Sequence, residues 1–122
     1  MATNQIVISK YANFLPTTQR KILPTDWNPW SAGQCVGFVK WLLGIDYSGN
    51  AISWQKYINT QTPVIDSIVV INAGKTGHIG IVVDKDKDSI TVLSRNWRGL
   101  WIISRDDFDV DDEKILGYIT FE

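Results

Sequence analysis

The chain has 122 residues but only one cysteine and one histidine, and these scarcities exclude whole classes of protein. A single cysteine cannot form an internal disulfide, so a disulfide-stabilised scaffold is excluded. A zinc site needs three or four ligands, and the sequence contains no cluster of Cys and His. Any chemistry that needs a thiol or an imidazole must therefore use Cys35 and His78.

Excess charge and long apolar runs are also missing. The formal net charge is -1 and no Lys/Arg cluster is present, which argues against a nucleic-acid partner. The segment Met1–Ile6 lacks a basic stretch followed by a long apolar one, so we expect neither a signal peptide nor a membrane span. Six tryptophans, in contrast, predict a core or a groove with much aromatic surface.

The first half of the sequence predicts helices. Residues 1–30 hold three of the four prolines and predict a short helix followed by a loop. Ser31 and Gln34 have the spacing of a capping box, and a helix is expected over 32–43, ended by Gly44. A second helical stretch is expected around 51–58, so that 31–58 forms the helical part of the domain.

The second half predicts strands. Residues 67–121 contain β-branched runs separated by short polar turns, which indicates antiparallel hairpins. The order of helices first and strands second predicts one α+β domain over 1–122, with helices packed on an antiparallel sheet of about five strands. The expected strand segments are Ile68–Ile71, Ile79–Val83, Ile90–Ser94, Leu100–Ile103 and Ile115–Ile119.

Cys35 falls in the first turn of the predicted helix. The unpaired N–H groups of a helix N-terminus stabilise a thiolate, and the same groups can receive the oxyanion of an acyl-transfer intermediate. A nucleophile is therefore one interpretation of Cys35. The other is a small buried hydrophobe, which is the usual role of a lone cysteine.

His78 lies at the beginning of a predicted strand, just after a loop that contains glycine. At such a strand end the imidazole can face a cleft above a helix N-terminus, which suits a catalytic base. A histidine satisfied by its own loop is the alternative. Period-two alternation along 90–97 places Ser94 and Asn96 on one face and Trp97 on the other. Asn96 can accept the ring N–H of His78 through its amide oxygen, or it can simply end a strand.

Three segments together resemble a CHAP domain, the cysteine, histidine-dependent amidohydrolase/peptidase family. The segments are Gly33–Val39 around Cys35, Gly77–Val82 around His78, and Val92–Trp97, which contains Asn96. Their joint occurrence in this order is far more specific than any one of them. The resemblance extends from about Trp30 to Tyr118.

The resemblance implies a papain-like fold and hydrolysis of a peptide or amide bond in bacterial cell-wall peptidoglycan. It implies that Cys35 is the nucleophile, His78 the general base and then acid, and Asn96 the polar residue beside the imidazole. It further suggests a phage endolysin or a virion-associated lysin, monomeric or within a larger phage assembly. Such a protein stays in the host cytoplasm until its release to the wall, or travels with the virion.

One departure from the family concerns the third segment, which usually reads Glu-x-Asn and here has Ser94 at the glutamate position. A serine can support His78 by a hydrogen bond but cannot offset imidazolium charge, so we expect slow turnover or a narrow pH range. A catalytically impaired module that binds wall peptide or a partner protein is the alternative. Gln34 can contribute its amide to the oxyanion site, although capping is its simpler role.

Two further features have open interpretations. The alternating aspartates of Asp84–Asp88 and Asp107–Asp111 are compatible with calcium binding, but neither stretch supplies a complete EF-hand loop. We therefore expect no cofactor. We interpret the first as a solvated hairpin tip and the second as an exposed loop or a short helix start. Trp30 and Trp97 adjoin the catalytic segments and either line a substrate groove or belong to the core.

Overall fold

The computed structural model describes residues 9–11, 35–45, 47, 49–99 and 102–121. Its first element is a helix, α1, and a short 3₁₀ helix follows. Five strands complete the described chain, which confirms the predicted α+β class with helices on a five-stranded antiparallel sheet. The elements are α1 Cys35–Leu43, the 3₁₀ helix Ala51–Tyr57, β1 Ile68–Ile71, β2 His78–Lys85, β3 Ser89–Arg95, β4 Ile103–Asp109 and β5 Ile115–Ile119.

The strands lie in the order β4-β3-β2-β1-β5, and every neighbouring pair is antiparallel. Four of them follow the chain, because short turns join β1 to β2 and β2 to β3, as the hairpin prediction requires. The fifth strand returns beside β1, so β4 and β5 are the two edges. In this arrangement β2 and β3 lie in the interior of the sheet, and β2 begins with His78.

One side of the sheet, the helix face, packs against α1. Phe38 and Val39 of α1 are fully buried and form one apolar cluster with aliphatic side chains of the strands. The apolar arc that the sequence predicted for α1 is thus its buried side. The strand residues of the helix face are Ile68 and Val70 of β1, Ile79, Ile81 and Val83 of β2, Leu93 of β3, Ile103 of β4 and Ile119 of β5.

The other side of the sheet, the outer face, carries a second cluster. Side chains directly opposite each other on paired strands project to the same face, so the register assigns polar residues to this side as well. His78 pairs with Ile71, Ser94 with Ser104, and Val92 with Asp106. The buried apolar residues of the outer face are Val69, Ile71, Val82, Ile90, Val92 and Tyr118.

The helical stretch predicted around 51–58 is a 3₁₀ helix. The side chain of Asn50 accepts a hydrogen bond from the N–H of Ser53 (3.2 Å) and so caps its start. Trp54 is fully buried in the helix-face cluster and donates its indole N–H to the carbonyl of Gly49. This tryptophan has a core role, as expected for most of the six.

The fourth strand is where the prediction was wrong. We expected a strand over Leu100–Ile103, of which residues 100 and 101 lie outside the described residues, and a loop or helix start over Asp107–Asp111, but the described strand β4 runs from Ile103 to Asp109. Aspartate has low β-propensity, which disguised this segment. It forms a strand because β3 supplies its partners, and as an edge strand it tolerates charged residues on its exposed side.

The turn between β2 and β3 is the predicted solvated hairpin tip. Residues 84–88, the last two of β2 and the three that join it to β3, are all exposed, and the Asp86 carboxylate accepts N–H bonds from Asp88 and Ser89, both at 2.8 Å. These bonds lower the pKa of Asp86. Within the described ranges, no three His, Cys, Asp or Glu side chains are close enough to share a metal ion, and no helix is long and apolar enough to cross a membrane.

Candidate active site

Cys35 is the first residue of the described helix, and its side chain is 8% exposed. The backbone N–H of Ile79 donates toward its sulfur across the gap between α1 and β2, and so do the N–H groups of Val36 and of Cys35 itself. These donors lower the pKa of the thiol, whereas burial raises it, and burial has the larger effect. The thiol is therefore protonated at neutral pH and surrounded by N–H groups that favour its anion.

His78 is buried to 5% exposure at the first position of β2. Gly77 before it has a φ of 75°, a left-handed conformation that suits glycine and turns the chain into the strand. Burial lowers the pKa of His78 to about 4, and the negative charge of Asp106 opposes this effect. Nε2 of the ring is buried and accepts or donates no hydrogen bond.

Cys35 and His78 both lie at the beginning of β2. The sulfur lies against the Ile79 amide, one residue along the strand from His78. The register nevertheless places His78 beside Ile71 of the outer face, whereas Cys35 belongs to the helix-face cluster. The two groups therefore approach the end of the strand from opposite sides of the sheet, and no hydrogen bond joins Cys35 to Nε2 of His78.

The third predicted segment does not continue as a strand through Asn96. β3 ends at Arg95, and Asn96 has a φ of 75°, in the left-handed region that asparagine tolerates better than most residues. Its backbone N–H donates to the carbonyl of Ile102 (2.9 Å), which closes the turn toward β4. The expected alternation that grouped Asn96 with Ser94 is therefore broken by a turn.

Trp97 also departs from the expected alternation. Its ring centroid lies 4.8 Å from that of His78 and 5.3 Å from that of Phe108, so the indole covers the imidazole on the outer face. The indole is half-buried, and it supplies part of the burial of His78. Gln34 and Trp30, predicted as an auxiliary donor and a groove residue, lie outside the described residues.

Ser94 is buried and faces Ser104 across the β3–β4 pair. Two residues further along β4 is Asp106, a carboxylate that the sequence analysis did not single out. Its Oδ2 accepts a hydrogen bond from Ser104 Oγ at 2.6 Å, and its Oδ1 accepts one from Arg98 Nε. The signal that could have identified it is the alternation of Ser104, Asp106 and Phe108, once this segment is recognised as a strand.

A cavity of about 410 Å³ lies elsewhere on the molecule. Lys10, Tyr11, Leu43, Asp66 and Phe121 are among its lining residues, and neither Cys35 nor His78 is. Trp97, which was expected either to line a substrate groove or to belong to the core, is not among its lining residues either.

Comparison with known proteins identifies relatives of this fold. It is similar to the crystal structure of an N-acetylmuramoyl-L-alanine amidase from Staphylococcus aureus, with 28% identity and a TM-score of 0.55 over 64% of this chain and 27% of that one. It is also similar to the crystal structure of Ly7917, with 21% identity and a TM-score of 0.59 over 74% of this chain and 53% of that one. This chain thus spans about a quarter of the length of the amidase structure and about half that of Ly7917.

No curated protein sequence matches the chain closely enough to extend this comparison. The model of the CHAP domain, however, matches residues 25–96. This range is more than half of the chain, and it contains Cys35, His78 and Asn96. The chain belongs to the CHAP domain family.

Proposed function

We propose that this chain is a peptidoglycan hydrolase that cleaves a peptide or amide bond of the bacterial cell wall with Cys35 as the nucleophile. The observation that carries the proposal is the position of the Cys35 thiol against the Ile79 amide, beside the single histidine of the chain. Membership of the CHAP family and the likeness to an N-acetylmuramoyl-L-alanine amidase support the substrate class.

The reaction proceeds through two acyl transfers. His78 takes the thiol proton as the Cys35 sulfur attacks the substrate carbonyl, and the resulting imidazolium donates that proton to the leaving amine as the C–N bond breaks. The thioester is then attacked by water, whose proton passes to His78. Collapse of the second intermediate releases the carboxylic acid and returns the proton to the thiol.

The protonation states define how the first step begins. Burial raises the pKa of Cys35 and lowers that of His78 to about 4, so both groups are neutral near pH 7. Proton transfer therefore accompanies the attack rather than preceding it. The N–H groups of Cys35, Val36 and Ile79 that point toward the sulfur are suited to stabilise negative charge as it develops there and on the adjacent carbonyl oxygen.

In this proposal Asn96 holds the imidazole orientation through its side-chain amide. Its left-handed backbone and its bond to the Ile102 carbonyl fix the turn that follows β3, next to the tryptophan that covers His78. Gln34 and Ser94 have supporting roles, as a further oxyanion donor and a neutral neighbour of the base. No cofactor is part of the reaction.

The test is clearance of purified Gram-positive cell walls, followed as loss of turbidity. We expect the native chain to clear them and Cys35→Ala to leave them intact, with His78→Gln equally inactive. Trp41→Ala is a matched control, because Trp41 is an exposed residue of the same helix. Equal clearance by the native chain and Cys35→Ala would end the enzymatic proposal.

Mass spectrometry of the released fragments distinguishes the two bond classes. An endopeptidase produces new amino termini within the wall peptides while the glycan keeps its peptide stems. An amidase instead separates intact peptides from the glycan strands. The same fragments separate this activity from that of another papain-like hydrolase, such as an NlpC/P60 endopeptidase.

A catalytically impaired wall-binding module is the second candidate. Two observations favour it: Ser94 is neutral where the family has a carboxylate, and Nε2 of His78 does not bond to the thiol. Co-sedimentation with walls that are not degraded would support this candidate. An origin in a phage, as an endolysin or a virion-associated lysin, and a monomeric state stay predictions from the resemblance.

A further inference from the structure

We propose that Asp106 is a positioning residue for His78, acting through its negative charge across the outer face of the sheet. It takes the part that a carboxylate at position 94 would have in stabilising the imidazolium. This inference rests on the proposed function, because an imidazolium forms only if His78 works as a base. It adds a residue from β4, outside the three segments in which the resemblance lies.

The register places Asp106 on the same face as His78. Val82 of β2 pairs with Val92 of β3, and Val92 pairs in turn with Asp106 of β4, so these three side chains share the outer face. His78 lies four residues before Val82 on β2 and therefore projects to that face too. Gly80, between His78 and Val82, adds no side chain that could separate the imidazole from β3 and β4.

Aromatic packing connects His78 to β4, the strand that carries Asp106. The Trp97 ring lies against His78 on one side and against Phe108 on the other, at centroid distances of 4.8 and 5.3 Å. Phe108 follows Asp106 by two residues on β4 and shares its face. The indole covers the imidazole, and because His78 and Asp106 are both buried, water screens the interaction between their charges less than it would at the surface.

Asp106 is built into this position as an anion. It is 5% exposed, and it is the one buried carboxylate in the part of the chain that the structure describes. Ser104 donates to Oδ2 at 2.6 Å, and Arg98 donates to Oδ1 from a side chain that is 65% exposed. Buried charges are costly unless they are hydrogen-bonded and paired, and both conditions are met here.

The charged and titratable groups around His78 come from three elements. Cys35 approaches from α1, Asp106 from β4, and Arg98 from the turn after β3, where it already pairs with Asp106. β1 offers the aliphatic Ile71. Among these groups Asp106 alone raises the pKa of His78, against the burial that lowers it.

The consequence for the reaction concerns both acyl transfers, because each passes through a positively charged His78. A carboxylate nearby makes the imidazole a stronger base and lowers the energy of the imidazolium. Ser94 supplies no charge for this purpose. Slow turnover or a narrow pH range stays a prediction, and in this proposal its extent depends on Asp106.

The experiment measures the pKa of His78 directly by NMR. The single histidine gives one unambiguous Cε1–Hε1 resonance, titrated from pH 8 downward in the native chain and in Asp106→Asn. We expect a lower pKa in the variant, by about one pKa unit or more, because a neutral amide no longer favours the imidazolium. A loosened structure would instead expose the ring and move its pKa up toward 6.5, so the sign separates charge from damage.

Two further variants provide a control and a second test of the proposal. Asp107→Asn removes the same charge from the adjacent, exposed residue of β4 and should leave the pKa of His78 unchanged. Arg98→Gln removes the counter-charge of Asp106 and should raise that pKa, and it decides the matter if Asp106→Asn does not fold. An unchanged or raised pKa in folded Asp106→Asn, or no rise in Arg98→Gln, overturns the proposal.

Steady-state kinetics with a soluble muropeptide test whether Asp106 contributes to catalysis. We expect Asp106→Asn to lower kcat about tenfold or more with little change in KM, and Asp106→Glu to recover part of the loss. Asp106→Asn with native kcat would overturn the positioning role. If the native chain cleaves no wall material, the proposed function fails, while the NMR titration still decides whether Asp106 controls the charge of His78.

Discussion

The two faces of the sheet are built in different ways. The helix face buries mostly apolar side chains against α1, with the Cys35 thiol at its margin and the buried Arg95, which pairs with Ile103, at the end of β3. The outer face has a smaller apolar cluster and, beside it, the buried polar group His78, Ser94, Ser104 and Asp106. Apolar packing therefore holds the proposed nucleophile, whereas register and hydrogen bonds hold the proposed base and its charge partner.

This difference indicates why the candidate site lies at the start of β2. In the proposed reaction, the Cys35 thiol from one side of the sheet and the His78 imidazole from the other act on a common carbonyl at this strand end. The Ile79 amide, which follows His78 and points at the sulfur, marks the junction. Substitutions on one face at a time test whether the helix face holds the nucleophile and the outer face holds the base.

Replacing the helix-face nucleophile should have the largest effect. Cys35→Ser should lower wall hydrolysis by about 10³-fold or more, because a hydroxyl is far less acidic and less nucleophilic than a thiol. A second measurement uses the single thiol of the native chain. Iodoacetamide should alkylate folded Cys35 slowly, since burial raises its pKa, and should react at the ordinary rate after unfolding. Equal rates in both states would show that the thiol is not held as described.

Protonation of His78 on the outer face should have the next largest effect, a decrease in the free energy of unfolding. His78 has an ordinary pKa of 6.5 and a folded pKa of about 4, so the unfolded chain binds the proton first as the pH falls. The free energy of unfolding should therefore decrease between about pH 6.5 and pH 4, by about 3 kcal/mol in total, with no further loss from this group below pH 4.

Urea denaturation at several pH values measures this decrease. His78→Gln removes the titrating group, so its stability should fall less than that of the native chain over the same interval. Parallel curves for the two proteins would mean that the imidazole is solvated, and the outer face would then not be a dry environment for the base.

Substitution of Gly80 tests how closely the side chains and backbone of the outer face are packed. A Cβ there would lie 2.4 Å from Cγ1 of Val92 and 2.9 Å from both the Leu93 carbonyl oxygen and Cβ of Ser94. Gly80→Ala should cost about 2 kcal/mol of unfolding free energy, because a backbone oxygen cannot move aside cheaply. Gly99→Ala is the control, since its Cβ meets only the flexible end of Ile102, and it should cost far less.

The two faces also differ in how much of their structure could be predicted from the sequence. The β-branched runs of β1, β2 and β3 predicted the strands, and the apolar arc of α1 predicted the buried side of the helix. These patterns result from burial, which a single sequence records directly. The α+β class with a five-stranded sheet is confirmed for the same reason. The family, predicted instead from the joint occurrence of three motif segments, is also confirmed.

The polar part of the outer face could not be predicted in this way. The position of Asp106 opposite Val92 depends on the register of β3 with β4, and that register depends on the turn that begins with left-handed Asn96. No periodicity in the sequence encodes a turn of this kind. The acidic composition of β4 resembles a loop until its partner strand is known.

The smallest expected effect compares two similar hydrogen bonds at adjacent places on β4. Ser104 donates to buried Asp106 and Thr91 donates to exposed Asp107, each at 2.6 Å. Ser104→Ala should cost about 1–2 kcal/mol, because it leaves a buried carboxylate with one donor fewer. Thr91→Val should cost less than about 0.5 kcal/mol, because water replaces the hydroxyl. Equal costs in chemical denaturation would mean that water reaches both sides of β4, and the outer face would lose the low-dielectric setting through which Asp106 is proposed to act on His78.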